Sequence, residues 1–249
     1  MKHYEIPTAV AAVCLALSGC GDPTTAGAGE EAAAQTANAV EDARVAELER
    51  QVEALERRKA LIEDSNAIKR LQRAYGYYVD QALWDEAADL FADNGAIEIG
   101  LDGVYSGKER VREYLYALGD GDAGLSEGEL NEHMQLMPVV TVAPDGMSAR
   151  ARWRGLNMTG RLGEDALWGE GPYENEYVKE DGVWKIGKLH WFQSILVPYE
   201  GGWARHEDVN GGKHVSDRLP PDAPPSVEYE TWPATFLPPF HFDNPVTGE

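Results

Sequence analysis

The sequence predicts an α+β domain in which N-terminal helices pack on a curved antiparallel sheet. Two observations lead to this fold class. Residues 68–91 carry apolar side chains at helical spacing, and residues 133–197 contain long runs of β-forming side chains separated by glycine-containing turns. Helices followed by a meander of strands are typical of α+β domains. A short coiled-coil helix is predicted in front of this domain.

The helix predicted for residues 68–91 has one face that mixes aromatic and acidic side chains. Tyr77, Asp80 and Trp84 are spaced three and four residues apart, so a phenol, a carboxylate and an indole share that face. A carboxylate between two aromatic side chains either has a structural partner or takes part in chemistry, and the spacing leaves both alternatives open. Residues 64–66, Asp-Ser-Asn, offer N-cap side chains for this helix. The core-facing stripe consists of Leu71, Tyr75, Tyr78 and Val79.

The elements after residue 91 follow from turn signals and periodicity. Two short strands and a helix are predicted first, at residues 96–101, 104–106 and 109–118. Residues 119–128 form a polar loop that is long enough to overhang a cleft. The long strands are predicted at residues 133–142, 148–159, 168–179 and 183–197.

The N-terminus has the layout of a bacterial export signal. Lys2 and His3 precede an apolar run at residues 8–17 that is too short to span a bilayer. The run ends in Leu-Ser-Gly-Cys, which resembles a lipobox, where cleavage accompanies lipidation of the cysteine, here Cys20. A plain signal peptide that contains a cysteine is the alternative. We therefore predict a lipoprotein signal peptide at residues 1–19 and a flexible tether at residues 20–43, which are small and polar.

This export prediction determines the compartment and the cysteine chemistry. Removal of Cys14 with the signal and lipidation of Cys20 leave no cysteine for a disulfide, a metal cluster or a nucleophile. The protein is expected to be lipid-anchored in the bacterial cell envelope and to face the periplasm, and Gly21 favours the outer membrane. The formal net charge of −21 argues against nucleic-acid binding and against adhesion to anionic lipids without another anchor.

Residues 44–64 are predicted to form the short coiled-coil helix. Lys59 interrupts an otherwise apolar heptad pattern. Such a helix either holds two or three protomers together or packs back on its own domain. Because so short a coil is marginal alone, the pattern favours a homo-oligomer, either a dimer or a trimer. The apolar a and d positions are Val45, Leu48, Val52, Leu55 and Ile62.

Residues 199–249 form a C-terminal extension with little periodicity. Eight of the fourteen prolines of the chain lie in this segment. Several aromatic side chains, among them Trp203, Tyr229 and Phe236, are costly to leave in water. The extension is therefore expected to be ordered in part and to pack on the domain or on a neighbouring protomer.

Several stretches of residues 68–197 together carry a family resemblance. They are YGYYVDQALWDEAADLFADNGAIEI, GVYSGKERVREYL, the strand that starts at His133, and GPYENEYVKEDGVWKI. These stretches resemble a SnoaL-like domain of the nuclear transport factor two-like superfamily, in its scytalone-dehydratase and cyclase branches. The resemblance implies a cone-shaped domain, placed at residues 65–198, whose helices close over the curved sheet and enclose a pocket. Members include dehydratases, isomerases, aldol-type cyclases, lyases and non-catalytic binding modules.

The resemblance also implies an Asp–His pair in that pocket. Asp80 matches the helix carboxylate, and His133 matches the histidine that contacts it. The tyrosine that often precedes the aspartate is Val79 here, so Tyr77 is taken as the phenol of the catalytic set. A carboxylate holds the imidazole in one tautomer and raises its basicity, and a phenol stabilises a developing oxyanion.

Other side chains are candidates for contacting a substrate. Trp84, Tyr78 and Tyr105 are expected near the pocket, as is Tyr173 on its strand. His190 shares the strand parity of Trp184 and can line the pocket, although a structural strand histidine fits equally well. Glu174 and Glu176 are expected to pair across strands with Arg152 and Arg154. The histidines of the extension, His206, His214 and His241, show no metal-ligand spacing, and we expect no metal and no organic cofactor.

These residues favour a cofactor-independent acid–base lyase, dehydratase or isomerase that acts on a hydrophobic small molecule. Aromatic walls exclude water and favour a flat substrate. The long, aromatic-rich, exported chain resembles SnoaL-like proteins of aromatic-degrading bacteria that release formaldehyde from lignin-type phenolics, and this resemblance implies a substrate of that class. The alternative is a lipid-anchored binding protein whose pocket holds a ligand without converting it. That protein needs the aromatic lining but not the pairing of Asp80 with His133.

Overall fold

The computed structural model describes residues 26–119 and 121–248. The predicted export signal and the predicted lipidation site, Cys20, lie outside these residues. None of the described helices carries an apolar stretch that would span a bilayer. The chain divides into two compact units, and the boundary falls between Leu55 and Glu56.

The first helix, α1 (Ala26–Asp80), is uninterrupted. The prediction of a flexible tether over residues 20–43 is therefore wrong for residues 26–43, whose alanine-rich composition favours a helix. The helix also runs through the N-cap predicted at residues 64–66. Asp64 instead accepts a hydrogen bond from Trp184 Nε1 at 2.8 Å and forms an ion pair with Lys179 Nζ at 2.6 Å.

Helix α1 ends at Asp80 and does not continue to residue 91, as the sequence had indicated. The Leu83 N–H donates to the Tyr78 carbonyl at 2.8 Å, and the Ala82 N–H donates to the Val79 carbonyl at 3.0 Å. With Ala82 at φ 51°, this pair of bonds is a Schellman motif, which closes the C-terminus of the helix. Residues 84–89 form a separate short helix.

The remaining elements form a seven-stranded sheet with two helices packed on it. They are α2 (Trp84–Asp89), β1 (Phe91–Ile99), β2 (Val104–Ser106), α3 (Lys108–Leu118), β3 (Glu129–Val142), β4 (Ser148–Arg161), β5 (Asp165–Glu180), β6 (Val183–Trp191) and β7 (Ile195–Pro198). The sheet order is β2–β1–β6–β5–β4–β3, and β7 pairs with the first part of β5. All pairs are antiparallel except β1 with β6, which is parallel. The predicted α+β class with a curved, mainly antiparallel sheet is confirmed.

The strand predicted over residues 183–197 is two strands, and the first of them contains a β-bulge. Ile186 pairs with Tyr177 and Lys188 pairs with Glu176, so Gly187 has no partner on β5. One extra residue reverses the alternation of side chains along the strand. The side chains of β6 that face the core are therefore Trp184, Ile186, Leu189 and Trp191.

A buried hydrogen-bonded network crosses the core between α1 and the sheet. The Tyr177 hydroxyl donates to Gln72 Oε1 at 2.7 Å, and Trp153 Nε1 donates to the Tyr177 hydroxyl oxygen at 3.0 Å. Asn175 Nδ2 donates to the same Gln72 oxygen at 3.1 Å. Because each buried polar group has a partner, the network fixes how the helix lies on the strands.

The C-terminal extension packs on the unit that begins at Glu56. Ala223 forms a β-bridge with Val104. The Arg152 guanidinium, which pairs with Glu174 as predicted, lies 4.5 Å from the ring centroid of Phe240. The expected ordering of the extension on the domain is therefore confirmed. The other predicted cross-strand pairs differ in partner: Glu176 lies nearest Arg150, and Arg154 pairs with Glu170.

Candidate active site

A cavity of about 550 Å³ opens between the helices and the sheet. This volume suits a small organic molecule. Its buried wall consists mainly of aromatic and aliphatic side chains, namely Tyr75, Val79, Trp84, Ile99, Tyr173 and Trp191. Its exposed mouth includes part of the predicted overhanging loop and the β4–β5 turn, with Asp122, Leu125, Glu129, Arg161, Glu164 and Asp165.

Gly76 lets β3 approach α1 closely enough to bring His133 to this cavity. A Cβ atom at Gly76 would lie 2.9 Å from Gln135 Cγ and 3.0 Å from the His133 carbonyl oxygen. Any larger residue at this helix position would push the strand away. Gln72, one turn earlier in α1, contacts the same strand, because its Nε2 donates a hydrogen bond to Gln135 Oε1 at 2.9 Å.

His133 lines the cavity as predicted, but Asp80 contacts its backbone and not its imidazole. Asp80 Oδ1 accepts a hydrogen bond from the His133 backbone N–H at 2.5 Å. The imidazole Nδ1 is buried and has no hydrogen-bond partner among the described residues. Burial and, to a smaller extent, the nearby His214 together lower the pKa of His133 to about 4, so the ring is neutral at neutral pH.

Asp80 is buried at 9% exposure and lies outside the cavity lining. Burial raises the pKa of its carboxyl group, while the bond from His133 opposes that rise. The predicted contact between the Asp80 carboxylate and the His133 imidazole is therefore wrong. The carboxylate instead fixes the backbone of the strand that carries the histidine. This placement makes Asp80 a positioning residue.

A second histidine, His214, reaches the same cavity from the C-terminal extension. Asp102 holds this segment, because its carboxylate accepts the backbone N–H groups of residues 214–216 at 2.8–3.1 Å and the Tyr114 hydroxyl at 2.8 Å. His214 Nε2 lies 2.5 Å from Gln193 Oε1. Burial lowers the pKa of His214, and the charge of Asp102 opposes this effect. The sequence analysis missed His214 because no local pattern links the extension to the pocket.

Two phenols contribute to the polar lining. Tyr75 and Tyr173 are each almost fully buried, and burial raises the pKa of both hydroxyl groups above its ordinary value. Both therefore remain hydrogen-bond donors at neutral pH. Tyr173 stacks on Trp191 with ring centroids 5.9 Å apart. Tyr173 and Trp84 lie where the sequence predicted, whereas Tyr75 was assigned to the core.

Three predicted tyrosines lie elsewhere. Tyr77 is 71% exposed and does not line the cavity, so the prediction that it supplies the catalytic phenol is wrong. The Schellman turn explains this, because Trp84 is in a different helix and no longer shares a face with Tyr77. Tyr78 packs against the core outside the cavity. Tyr105 is buried and donates to the Leu219 carbonyl at 2.6 Å, so it ties down the extension.

His190 is also outside the cavity lining, because the bulge at Gly187 turns it to the other side of β6. There its Nδ1 lies 3.5 Å from Glu98 Oε2, and its ring stacks on Phe192 with centroids 3.7 Å apart. Burial lowers the pKa of His190 to about 4, and the charge of Glu98 opposes this shift. His190 is therefore a structural strand histidine, which was the alternative, and the prediction that it lines the pocket is wrong. Among the described residues, no group of three or more His, Asp or Glu side chains could hold a metal ion.

Comparison with known families identifies the fold. Residues 60–190 match the profile of the SnoaL-like domain. The chain belongs to the SnoaL-like domain family. The SnoaL-like resemblance drawn from residues 68–197 is therefore confirmed, together with its place in the nuclear transport factor two-like superfamily.

Several solved structures are similar to this SnoaL-like chain at low sequence identity. One is a protein from Novosphingobium aromaticivorans provisionally named a scytalone dehydratase, with 20% identity, a TM-score of 0.49, and coverage of 57% of this chain and 91% of that chain. Another is LinA, with 18% identity, a TM-score of 0.49, and coverage of 58% and 95%. A third is a protein of unknown function with a cystatin-like fold from Nostoc punctiforme, with 19% identity, a TM-score of 0.43, and coverage of 52% and 90%.

Proposed function

We propose that this protein is a cofactor-independent acid–base lyase, dehydratase or isomerase that acts on a hydrophobic, aromatic small molecule. A lignin-type phenolic is the substrate class that we favour, with loss of water or of formaldehyde as the reaction. The observation that carries the proposal is the meeting of His133 and His214 in one aromatic-walled cavity. Burial lowers the pKa of both imidazoles, and His133 Nδ1, which has no hydrogen-bond partner among the described residues, is available to accept a proton.

The charge of the cavity mouth supports a substrate without negative charge. Asp122, Glu129, Glu164 and Asp165 line the mouth, whereas Arg161 is the one arginine or lysine among the described side chains of the lining. Arg161 itself lies 3.6 Å from Glu129 and 3.9 Å from Glu164. A carboxylate or phosphate would be repelled on entry, while a neutral phenol or alcohol would not.

The proposed chemistry moves one proton and returns it. His133 removes a proton from the carbon next to a substrate carbonyl, and the electron pair forms a double bond as the carbon–oxygen bond to a neighbouring hydroxyl breaks. The imidazolium then gives the proton to the departing oxygen, so water leaves and the protein is unchanged. The Tyr75 hydroxyl donates a hydrogen bond to the carbonyl oxygen while it gains negative charge.

In the formaldehyde reaction, His133 takes the proton of a hydroxymethyl group instead. The carbon–carbon bond breaks, formaldehyde leaves, and the remaining carbon keeps the electron pair until it is protonated. Both reactions need a base and an oxyanion donor in a dry cavity, and the lining of this cavity offers both residue types.

A second candidate is a binding protein that holds its ligand without converting it. Two observations favour it: no hydrogen bond joins Asp80 to the imidazole of His133, and a pKa of about 4 makes that imidazole a weak base before a ligand binds. The same aromatic walls and neutral lining serve this function equally well.

A substrate screen with histidine variants separates the two candidates. The protein is incubated with phenolic dimers that carry benzylic hydroxyl or hydroxymethyl groups, and the products are followed by absorbance of the conjugated alkene and by a formaldehyde assay. Turnover by the wild type that falls about 10²–10⁴-fold in His133→Ala supports the lyase. His206→Ala, at an exposed histidine of the extension, is the matched control and should keep full activity.

Two outcomes would contradict the proposal, the first its mechanism and the second its function. Full activity in His133→Ala would remove His133 as the base. Quenching of tryptophan fluorescence by the phenolics, without turnover of any of them, would establish the binding protein instead.

We also propose that the protein is anchored in the bacterial cell envelope, facing the periplasm, through a lipid on Cys20. The lipobox at residues 17–20 supports this location, and Gly21 favours the outer membrane. Recovery of Cys20→Ala in the membrane fraction, as for the wild type, would argue against it.

A further inference from the structure

An apolar stripe on α1 is left open to solvent. Val45, Leu48, Val52 and Leu55 are each between 49% and 62% exposed, and Ile62 is 63% exposed. The first four are spaced three and four residues apart, which places them along one side of the helix, and Ile62 follows Leu55 by one heptad. We call this surface the seam. Apolar side chains in such a row are costly to leave in water, and a second helix with the same row would cover them.

The residue types of the seam fit a two-stranded coil. Its a positions hold the β-branched Val45 and Val52, and its d positions hold Leu48 and Leu55. β-Branched residues at a with leucine at d favour two strands in parallel coiled coils. Lys59 occupies the next a position, and a single polar residue at a fixes register and strand number at some cost in stability.

The charges beside the seam select the direction of the second strand. The g positions next to it include Arg44 and Arg58, and the e positions five residues later hold Glu49 and Glu63. In a parallel dimer each g residue faces the e residue five positions later on the partner, so Arg44 meets Glu49 and Arg58 meets Glu63, each twice by symmetry. In an antiparallel dimer g faces g and e faces e, so the e positions, which all hold glutamate, face one another and no arginine meets a glutamate.

We propose that residues 44–63 form a parallel, in-register, two-stranded coiled coil with a second copy of this chain. Glu63 also lies 3.4 Å from Lys59 Nζ of its own helix, an exposed pair that competes weakly with the cross-strand contact. A parallel coil brings the N-terminal ends of both helices to the same end of the dimer. Two chains paired in this way can attach to one membrane surface, which antiparallel strands would not allow so readily.

Charge reversal tests the proposal on the full chain. Arg44→Glu with Arg58→Glu turns the facing pairs into Glu–Glu pairs, and Glu49→Arg with Glu63→Arg turns them into Arg–Arg pairs. Each double variant should raise the dissociation constant of the dimer about a hundredfold, measured by analytical ultracentrifugation. An equimolar mixture of the two variants should recover the wild-type mass as a heterodimer, because each of the four altered pairs again joins an arginine to a glutamate.

The matched control keeps the charge change and moves it off the seam. Arg50→Glu with Arg57→Glu alters two f positions of the same helix and should leave the dimer intact. A wild-type particle with the mass of one, three or four chains would overturn the proposal. So would charge variants that dimerise as tightly as the control.

A cysteine crosslink tests strand direction separately. In a background where Cys14 and Cys20 are serine, Val45→Cys should form a disulfide with its own copy, since equal a positions meet only in a parallel register. Crosslinking of Val45→Cys with Ile62→Cys in a mixture, and of neither alone, would show antiparallel strands and overturn the proposal.

Discussion

Asp80 illustrates how a carboxylate can serve a site without entering it. Its oxygen accepts the backbone N–H of His133, so it fixes the strand at the point where the imidazole enters the cavity. The amide of an asparagine offers the same acceptor oxygen, whereas alanine offers none. The role of Asp80 can therefore be separated from acid–base chemistry by comparing these two substitutions.

We predict that Asp80→Asn folds with a loss of about 1 kcal/mol and retains most of the wild-type activity or ligand affinity. Asp80→Ala should lose about 2–3 kcal/mol, because a buried backbone N–H is left without an acceptor, and its activity should fall. Urea unfolding and the substrate screen measure the two effects. Equal loss of activity in both variants, with stability unchanged, would show that the carboxyl proton itself is needed.

The local pattern predicted some site residues and misplaced others for identifiable reasons. His133, Trp84 and Tyr173 line the cavity as expected, because strand and helix periodicity determine which side they face. Tyr77 was misplaced because a helical face was extended across residues 81–83, where Ala82 adopts φ 51° and ends the helix. Alanine is not a usual residue for that conformation, so the sequence carries little sign of the break.

Among the elements, the C-terminal extension depends on one buried carboxylate. Asp102 is 1% exposed and accepts hydrogen bonds from residues 214–216 and from Tyr114. These contacts carry His214 to the cavity from a segment far away in the chain. No periodicity could reveal this link, which is why the fold of residues 65–198 was predictable and the contribution of the extension to the site was not.

We predict that Asp102→Ala destabilises the protein by about 3 kcal/mol or more, since several buried donors lose their acceptor at once. The extension should then be cleaved faster in limited proteolysis than in the wild type, and any activity that depends on His214 should fall. Asp243→Ala, at an exposed aspartate of the same segment, is the control and should match the wild type. Unchanged proteolysis of Asp102→Ala would show that other contacts hold the extension.

At the scale of the whole molecule, buried neutral histidines make folding sensitive to acid. His133 and His190 have pKa values of about 4 in the folded chain against 6.5 as the ordinary value, and His214 shifts in the same direction. Between these two values the unfolded chain binds protons that the folded chain does not. Stability is therefore complete above pH 6.5 and falls as the pH drops toward 4.

We predict a loss on the order of 3 kcal/mol from His133 alone across this window, measured as the free energy of unfolding in urea between pH 7 and 4.5. Two buried acids also affect stability at acidic pH. The raised pKa of Asp80 opposes the loss of stability, and the lowered pKa of Glu98 adds to that loss. His133→Asn should flatten the pH dependence, and His206→Asn should not. An equal slope in both variants would contradict the assignment.

The unpaired Gly187 determines which side chain of β6 faces the cavity. With this residue present, Trp191 contributes an indole to the wall and His190 is turned toward Glu98. A chain one residue shorter at this point would exchange the two, and an ionisable ring would replace an apolar one without any change of amino acid at either position. Insertions and deletions in β6 are therefore a route by which members of this fold can acquire or lose an acid–base group.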